Sequence, residues 1–109
     1  MKVIYNNVIP CKGYKAINLF GVFFVRKGAT ISEQDINHEA IHTAQMREIL
    51  YILFYVWYFV EWIVRIFQYK NVHKAYRNIS FEREAYTNDC YLLYLQDRKH
   101  YTWMQYLRT

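Results

Sequence analysis

The residues with the clearest chemical meaning are His38-Glu39-Ala40-Ile41-His42. On a helix of 3.6 residues per turn, positions four apart share one face, so His38 and His42 can present two imidazole nitrogens to one zinc ion. Glu39 points about 100° around the helix from His38, near enough to take a proton from a zinc-activated water as general base without being a ligand itself. That division of roles suits hydrolysis of an amide bond. Gln45, three residues beyond His42 on the same side, is placed to hydrogen-bond within the site or near a substrate.

The pattern has this meaning only on a helix, and the flanking residues supply one. Ser32 and Asp35 form an S-x-x-D capping box, Thr30 and Glu33 offer another, and Gly28 closes the preceding segment. A helix should start near residue 32 or 33, with Glu33 and Asp35 complementing the positive end of its dipole.

Catalytic zinc usually takes three protein ligands and keeps a fourth position for water. The downstream donors are Glu61, His73, Glu82, Glu84, Asp89, Asp97 and His100. The run Phe81-Glu82-Arg83-Glu84-Ala85-Tyr86 stands out, with two carboxylates in the first turns of a helix that Ser80 can cap and that should run to about Arg98. Ala85 would let that helix come close to the histidine helix. His73, Tyr76, Arg77, Tyr86 and His100 are the candidate donors to a reaction oxyanion.

The elements that must position these groups fall into two regimes. Pro10, Gly13, Gly21 and Gly28 are all early, and no Gly or Pro follows. Before Gly28 the runs Val3-Ile4-Tyr5, Ala16 to Phe20 and Val22 to Arg26 read as strands of a short antiparallel sheet. Beyond it the pattern is helical, with interruptions near Asn71 and at Asn78-Ile79-Ser80. The segment 49–67 is nearly all apolar and would span roughly 28 Å as a helix, close to the thickness of bilayer hydrocarbon. Arg47, Tyr51, Tyr55, Tyr58, Glu61, Arg65 and Gln68 recur along it at helical spacing as a narrow polar stripe, with Glu61 and Arg65 placed to pair. Its wide apolar face suits the domain core first, then a membrane interface or span, then a partner helix.

The spacing also carries a resemblance. His38-Glu39-x-x-His42 with Glu-x-x-Ala on a second helix, Glu82 standing forty residues after His42, resembles the gluzincin clan of zinc peptidases and, in its small size, the minigluzincins; the match covers roughly residues 22–90. The resemblance implies a third ligand on the second helix. In the prenyl-endopeptidase pattern Glu-x-x-Ala-Asp, alignment on Ala85 makes it Glu82, with Tyr86 where the family carries the Asp that orients a ligand histidine. In the thermolysin pattern it is Glu84, with Asn88 at the Asp position. The resemblance also implies that peptide is laid along an edge strand before the histidine helix, here Val22, Phe23, Phe24, Val25 and Arg26, by strand addition.

Composition bounds the rest. At 109 residues, 54% hydrophobic and 20% aromatic, the chain is too apolar for a disordered protein and is sized for one domain. Its +5 charge is scattered apart from Arg65, Lys70, Lys74 and Arg77, so a solvated or membrane-facing patch is expected before a nucleic-acid site. The first residues lack a signal-peptide pattern, and Cys11 and Cys90 are expected as small apolar fillers in a reducing compartment, with zinc masking by Cys11 a further reading. The expectation is therefore an α+β, zincin-like single domain over 1–109: strands over 1–28, the histidine helix and apolar segment over 32–69, and the third-ligand helix over 80–98. It would be a cytoplasmic zinc-dependent metallopeptidase, open to inner-membrane association, acting on a peptide or protein. The alternative is a zinc-binding but inactive membrane-associated or interaction protein.

Overall fold

The computed structural model describes residues 1–9 and 14–107; Pro10, Cys11 and Gly13 lie outside the described residues. Three strands precede a series of helices, giving a small α+β architecture. β1 (Lys2–Asn6), β2 (Ala16–Leu19) and β3 (Val22–Arg26) form one sheet in the order β1-β3-β2. β2 and β3 are antiparallel across the two-residue turn Phe20-Gly21, whose φ values of 52° and 92° suit the twist of a tight hairpin. A Cβ on Gly21 would also meet the Thr43 side chain at 3.2 Å. β1 pairs with β3 in parallel, so the sheet is mixed and not purely antiparallel. The hairpin fills one edge of β3, and the stretch 7–21, β2 included, is long enough to return the chain for a parallel pair on the other.

Phe23 and Val25 are buried between half-buried neighbours, the period of two expected of a strand with one covered face. Its cover is α1 (Glu33–Glu48), which starts at the capping box read from the sequence. The Asp35 N–H donates to Ser32 Oγ and the Ser32 N–H donates to Asp35 Oδ2, each at 3.0 Å. The Asn18 amide of β2 donates to the Glu39 carbonyl at 3.0 Å and to Thr43 Oγ1 at 3.2 Å, fixing the sheet against the middle of that helix.

α1 ends without Gly or Pro. Leu50 and Tyr51 take positive φ values of 61° and 58°, and α2 (Ile52–Tyr69) departs at 109° to α1. α3 (Val72–Arg77) turns the chain back into α4 (Ser80–Asn88), followed by α5 (Tyr94–Asp97) and a 3-10 turn over Thr102–Tyr106. Ser80 is the first residue of α4 and not its cap. Its N–H and O–H both donate at 2.6 Å to the buried Glu61 carboxylate, so α2 supplies the anion that the helix N-terminus favours. α4 stops well before Arg98 because the Asn37 amide donates to the carbonyls of Asp89 and Tyr91, at 2.9 and 3.0 Å, and draws that backbone onto α1.

Met46, Phe54, Ile79, Phe81 and Trp103 form the core where α1, α2, α4 and the 3-10 turn converge. The apolar face of α2 is not part of it. Glu61 and Arg65 are buried and paired at 3.3 Å, whereas Ile52, Leu53, Val56, Phe59 and Val60 are exposed. That overturns the core placement of the apolar face, because the polar stripe is the side that meets the protein. No single helix among the described residues is long and apolar enough to cross a membrane.

Candidate metal centre

α1 turns Asn37, His38, Ile41, His42, Gln45 and Met46 inward, and α4 answers with Phe81, Glu82, Glu84 and Ala85. Ala85 is fully buried, so its small side chain lets the two helices lie close. His38 Nε2, His42 Nε2 and Glu82 Oε1 then form a triangle with sides of 3.2, 3.1 and 3.0 Å. Ligand atoms bound tetrahedrally to zinc at about 2.0–2.1 Å lie about 3.3 Å apart. The triangle is therefore close to one face of such a tetrahedron.

The outward-facing atoms fix where the protons are. His38 Nδ1 lies 2.9 Å from Asp89 Oδ2, a carboxylate oxygen that accepts, so this nitrogen carries the hydrogen. His42 Nδ1 lies 2.8 Å from Gln45 Oε1. Gln45 presents its oxygen there because its nitrogen donates to the Phe81 carbonyl at 3.1 Å and to Glu84 Oε1 at 2.9 Å. Both imidazoles in their neutral form thus aim an Nε2 lone pair at Glu82, whose second oxygen accepts from the Tyr58 hydroxyl at 2.6 Å. Three electron-rich atoms this close repel one another unless a cation lies among them. A proton can serve: burial disfavours charge on His42, but the Glu82 carboxylate outweighs it and pushes the pKa up to about 10. Burial likewise opposes ionisation of Glu82, yet the charge and hydrogen bond of a protonated His42, together with the Tyr58 hydroxyl, hold it well below the usual carboxylate range.

Glu39 belongs to the same cluster, with one donor atom from each of His38, Glu39 and His42 lying within 4.8 Å of the others, a group that could hold a metal ion. Burial raises its pKa, with His42 and His38 opposing, which makes it a stronger base than an exposed glutamate. Glu39 and Tyr76 line two open cavities, one of about 650 Å³ toward His38, Tyr86 and Asp89, the other of about 230 Å³ toward His42, Tyr58 and Glu82. Ala16 of β2 borders both.

The other sequence candidates divide clearly. Glu84 is absent from the triangle: it is fully buried, accepting from Arg98 Nε and from the Tyr94 hydroxyl at 2.6 Å each. Asn88 donates to the Glu84 carbonyl and to the Tyr106 hydroxyl, turned toward the 3-10 turn and away from the site. Tyr86 sets its ring edge-on to His38 at 4.5 Å, shares a 3.0 Å hydrogen bond with the Tyr76 hydroxyl and lies beneath the Arg77 guanidinium at 3.7 Å. His73 and His100 are exposed, the first against Tyr76 and the second beside Glu48 at 3.4 Å. Val22 to Arg26 cannot serve as a substrate edge, since β3 is central and both its edges are taken; among the described residues the outer edge beside the cavities belongs to β2, where the Tyr55 hydroxyl donates to the Asn18 carbonyl at 3.3 Å. Cys90 is exposed, not an apolar filler. Asp89 and Tyr58 are the site residues that sequence reasoning did not assign, although both were in view as a donor and as part of the polar stripe.

Comparison with models of known protein families, with curated proteins and with solved structures finds no match to this chain.

Proposed function

We propose that this protein is a zinc-dependent peptidase of gluzincin type, with His38, His42 and Glu82 as the metal ligands and Glu39 as the general base. The observation that carries the reading is the triangle of 3.0–3.2 Å whose three outward atoms are held by Asp89, Gln45 and Tyr58. Two imidazoles and one carboxylate are the donor set of catalytic zinc, and the residues present fit it. When bound, the ion would supply the Lewis acidity that acidifies a water and polarises a carbonyl.

The protein's own residues then have separable tasks. Glu39 takes the proton of the attacking water and returns it to the leaving amine, helped by a pKa already raised by burial. The Tyr76 hydroxyl, bordering both cavities, is the donor best placed to meet the carbonyl oxygen as it gains charge. β2 offers an outer edge on which an extended peptide can add as a strand.

The test compares wild type with Glu39→Gln for metal content and for cleavage of a peptide library. Equal metal with a loss of rate of at least about a hundredfold supports the assignment. Equal rates in the two proteins would remove Glu39 from the chemistry and leave a metal-binding protein without turnover.

A further inference from the structure

α2 is built inside out for a helix on a water-soluble domain. Its polar stripe faces the protein: Tyr55 bonds the β2–β3 hairpin, Tyr58 bonds Glu82, Glu61 bonds Ser80, and Arg65 bonds the Leu107 carbonyl at 2.9 Å. Its opposite face carries Ile52, Val56, Phe59, Val60, Ile63 and Phe67, which are 68, 54, 57, 55, 38 and 79% exposed. These six positions fall within an arc of about 100° on a helical wheel, and no polar side chain interrupts it. Along the helix the stripe is about 25 Å long. Patches of this kind mark protein or membrane contacts.

The chemistry of the stripe favours lipid. A protein interface carries about one hydrogen bond per 100–200 Å², and this arc has no side chain to make one. Cations bracket it, with Arg47 exposed before it and Lys70 and Lys74 exposed after it, while the one acid of α2, Glu61, faces inward. An apolar stripe ending in cations, on a chain of net charge +5, complements an anionic headgroup layer over hydrocarbon.

We propose that α2 lies in the plane of an anionic membrane surface, its apolar arc immersed to about 5–10 Å and Arg47, Lys70 and Lys74 among the headgroups. The inference stands apart from the metal centre, so the two can fail separately.

Vesicle co-sedimentation of the full chain tests it, using phosphatidylcholine vesicles with and without phosphatidylglycerol. Wild type should pellet with the anionic vesicles and less with the neutral ones. Val56→Glu/Val60→Glu, at exposed positions, should lower partitioning at least about tenfold on both. Lys70→Glu/Lys74→Glu should lower it on the anionic vesicles alone. A far-ultraviolet circular dichroism spectrum and a thermal midpoint equal to wild type certify that each variant is folded, and Glu39→Gln should partition as wild type does. No partitioning of wild type at low salt, or unchanged partitioning of Val56→Glu/Val60→Glu, overturns the proposal. So does a vesicle-free dimer that the same double variant splits, because a second copy would then cover the arc.

Discussion

At the scale of single residues the centre is decided by which carboxylate is free to face the imidazoles. Glu82 and Glu84 are both buried, but Glu84 is held by Arg98, which Glu48 grips from its other side at 2.9 and 3.0 Å. Glu84 therefore acts on the site only through Gln45. Asp89→Ala should weaken zinc binding by about 10–100-fold in a competition titration, because His38 loses the partner that fixes its tautomer. Glu84→Gln should leave affinity within a few-fold and instead cost about 3 kcal/mol in denaturant unfolding, the low end for breaking a buried pair, since Glu48 still faces Arg98. The reverse pattern would make Glu84 the ligand. His38, Glu39 and His42 were legible because their meaning lies in local spacing on one helix. Asp89 was legible in principle, seven residues beyond Glu82 and so near the same helical face, but the patterns used for alignment look for their acid at Tyr86 or Asn88.

At the scale of elements, local rules worked where a helix end is made by its own neighbours and failed where a distant side chain makes it. The start of α1 is local. Asp35 has its pKa lowered first by the Ser32 N–H, with burial opposing and Lys15, 3.5 Å away, assisting. A carboxyl lowered on folding contributes stability that is present above its ordinary value of 3.8 and is lost as pH falls through the lower folded value. Asp35→Asn should therefore unfold more easily than wild type at neutral pH, by a few tenths of a kcal/mol to about 1 kcal/mol, and the two should converge in acid. A gap that persists below the folded pKa would mean that shape and not charge makes the box work. Both ends of α4 are non-local: Glu61 meets its start and Asn37 captures the backbone after it. Neither is written in the residues around α4. The bend after α1 has no Gly or Pro to announce it, and is held instead by the Tyr51 N–H donating to the Met46 carbonyl at 2.8 Å. Pairing of β1 with β3 depends on chain return, which strand propensity does not encode.

At the scale of the whole molecule, the inward turn of the α2 stripe changes what stabilises the fold. Hydropathy alone puts that helix's apolar face in the core, yet the polar groups won, since Glu61 and Arg65 meet demands from Ser80 and the Leu107 carbonyl that no apolar side chain could. Much of the apolar area of α2 therefore contributes little to folding in water, and a 109-residue chain has few other sources of stability. A cation between α1 and α4 would join elements forty residues apart and would bind the folded chain alone. Its contribution is RT ln(1 + [M]/Kd), about 2.7 kcal/mol at a hundredfold excess over Kd. For a domain near 100 residues each kcal/mol moves the midpoint by about 4–8 °C, so chelation should lower Tm by about 10 °C or more. Zinc should restore it. Magnesium should not, because it prefers oxygen ligands in octahedral geometry to two imidazoles and one carboxylate. Glu39→Gln should keep the whole effect and Glu82→Ala should lose it, which separates the ligand from the base in a measurement that needs no substrate. A chelator that leaves Tm unchanged in detergent-free buffer would mean that the helices hold their triangle without an ion, and the proposed metal centre would fall.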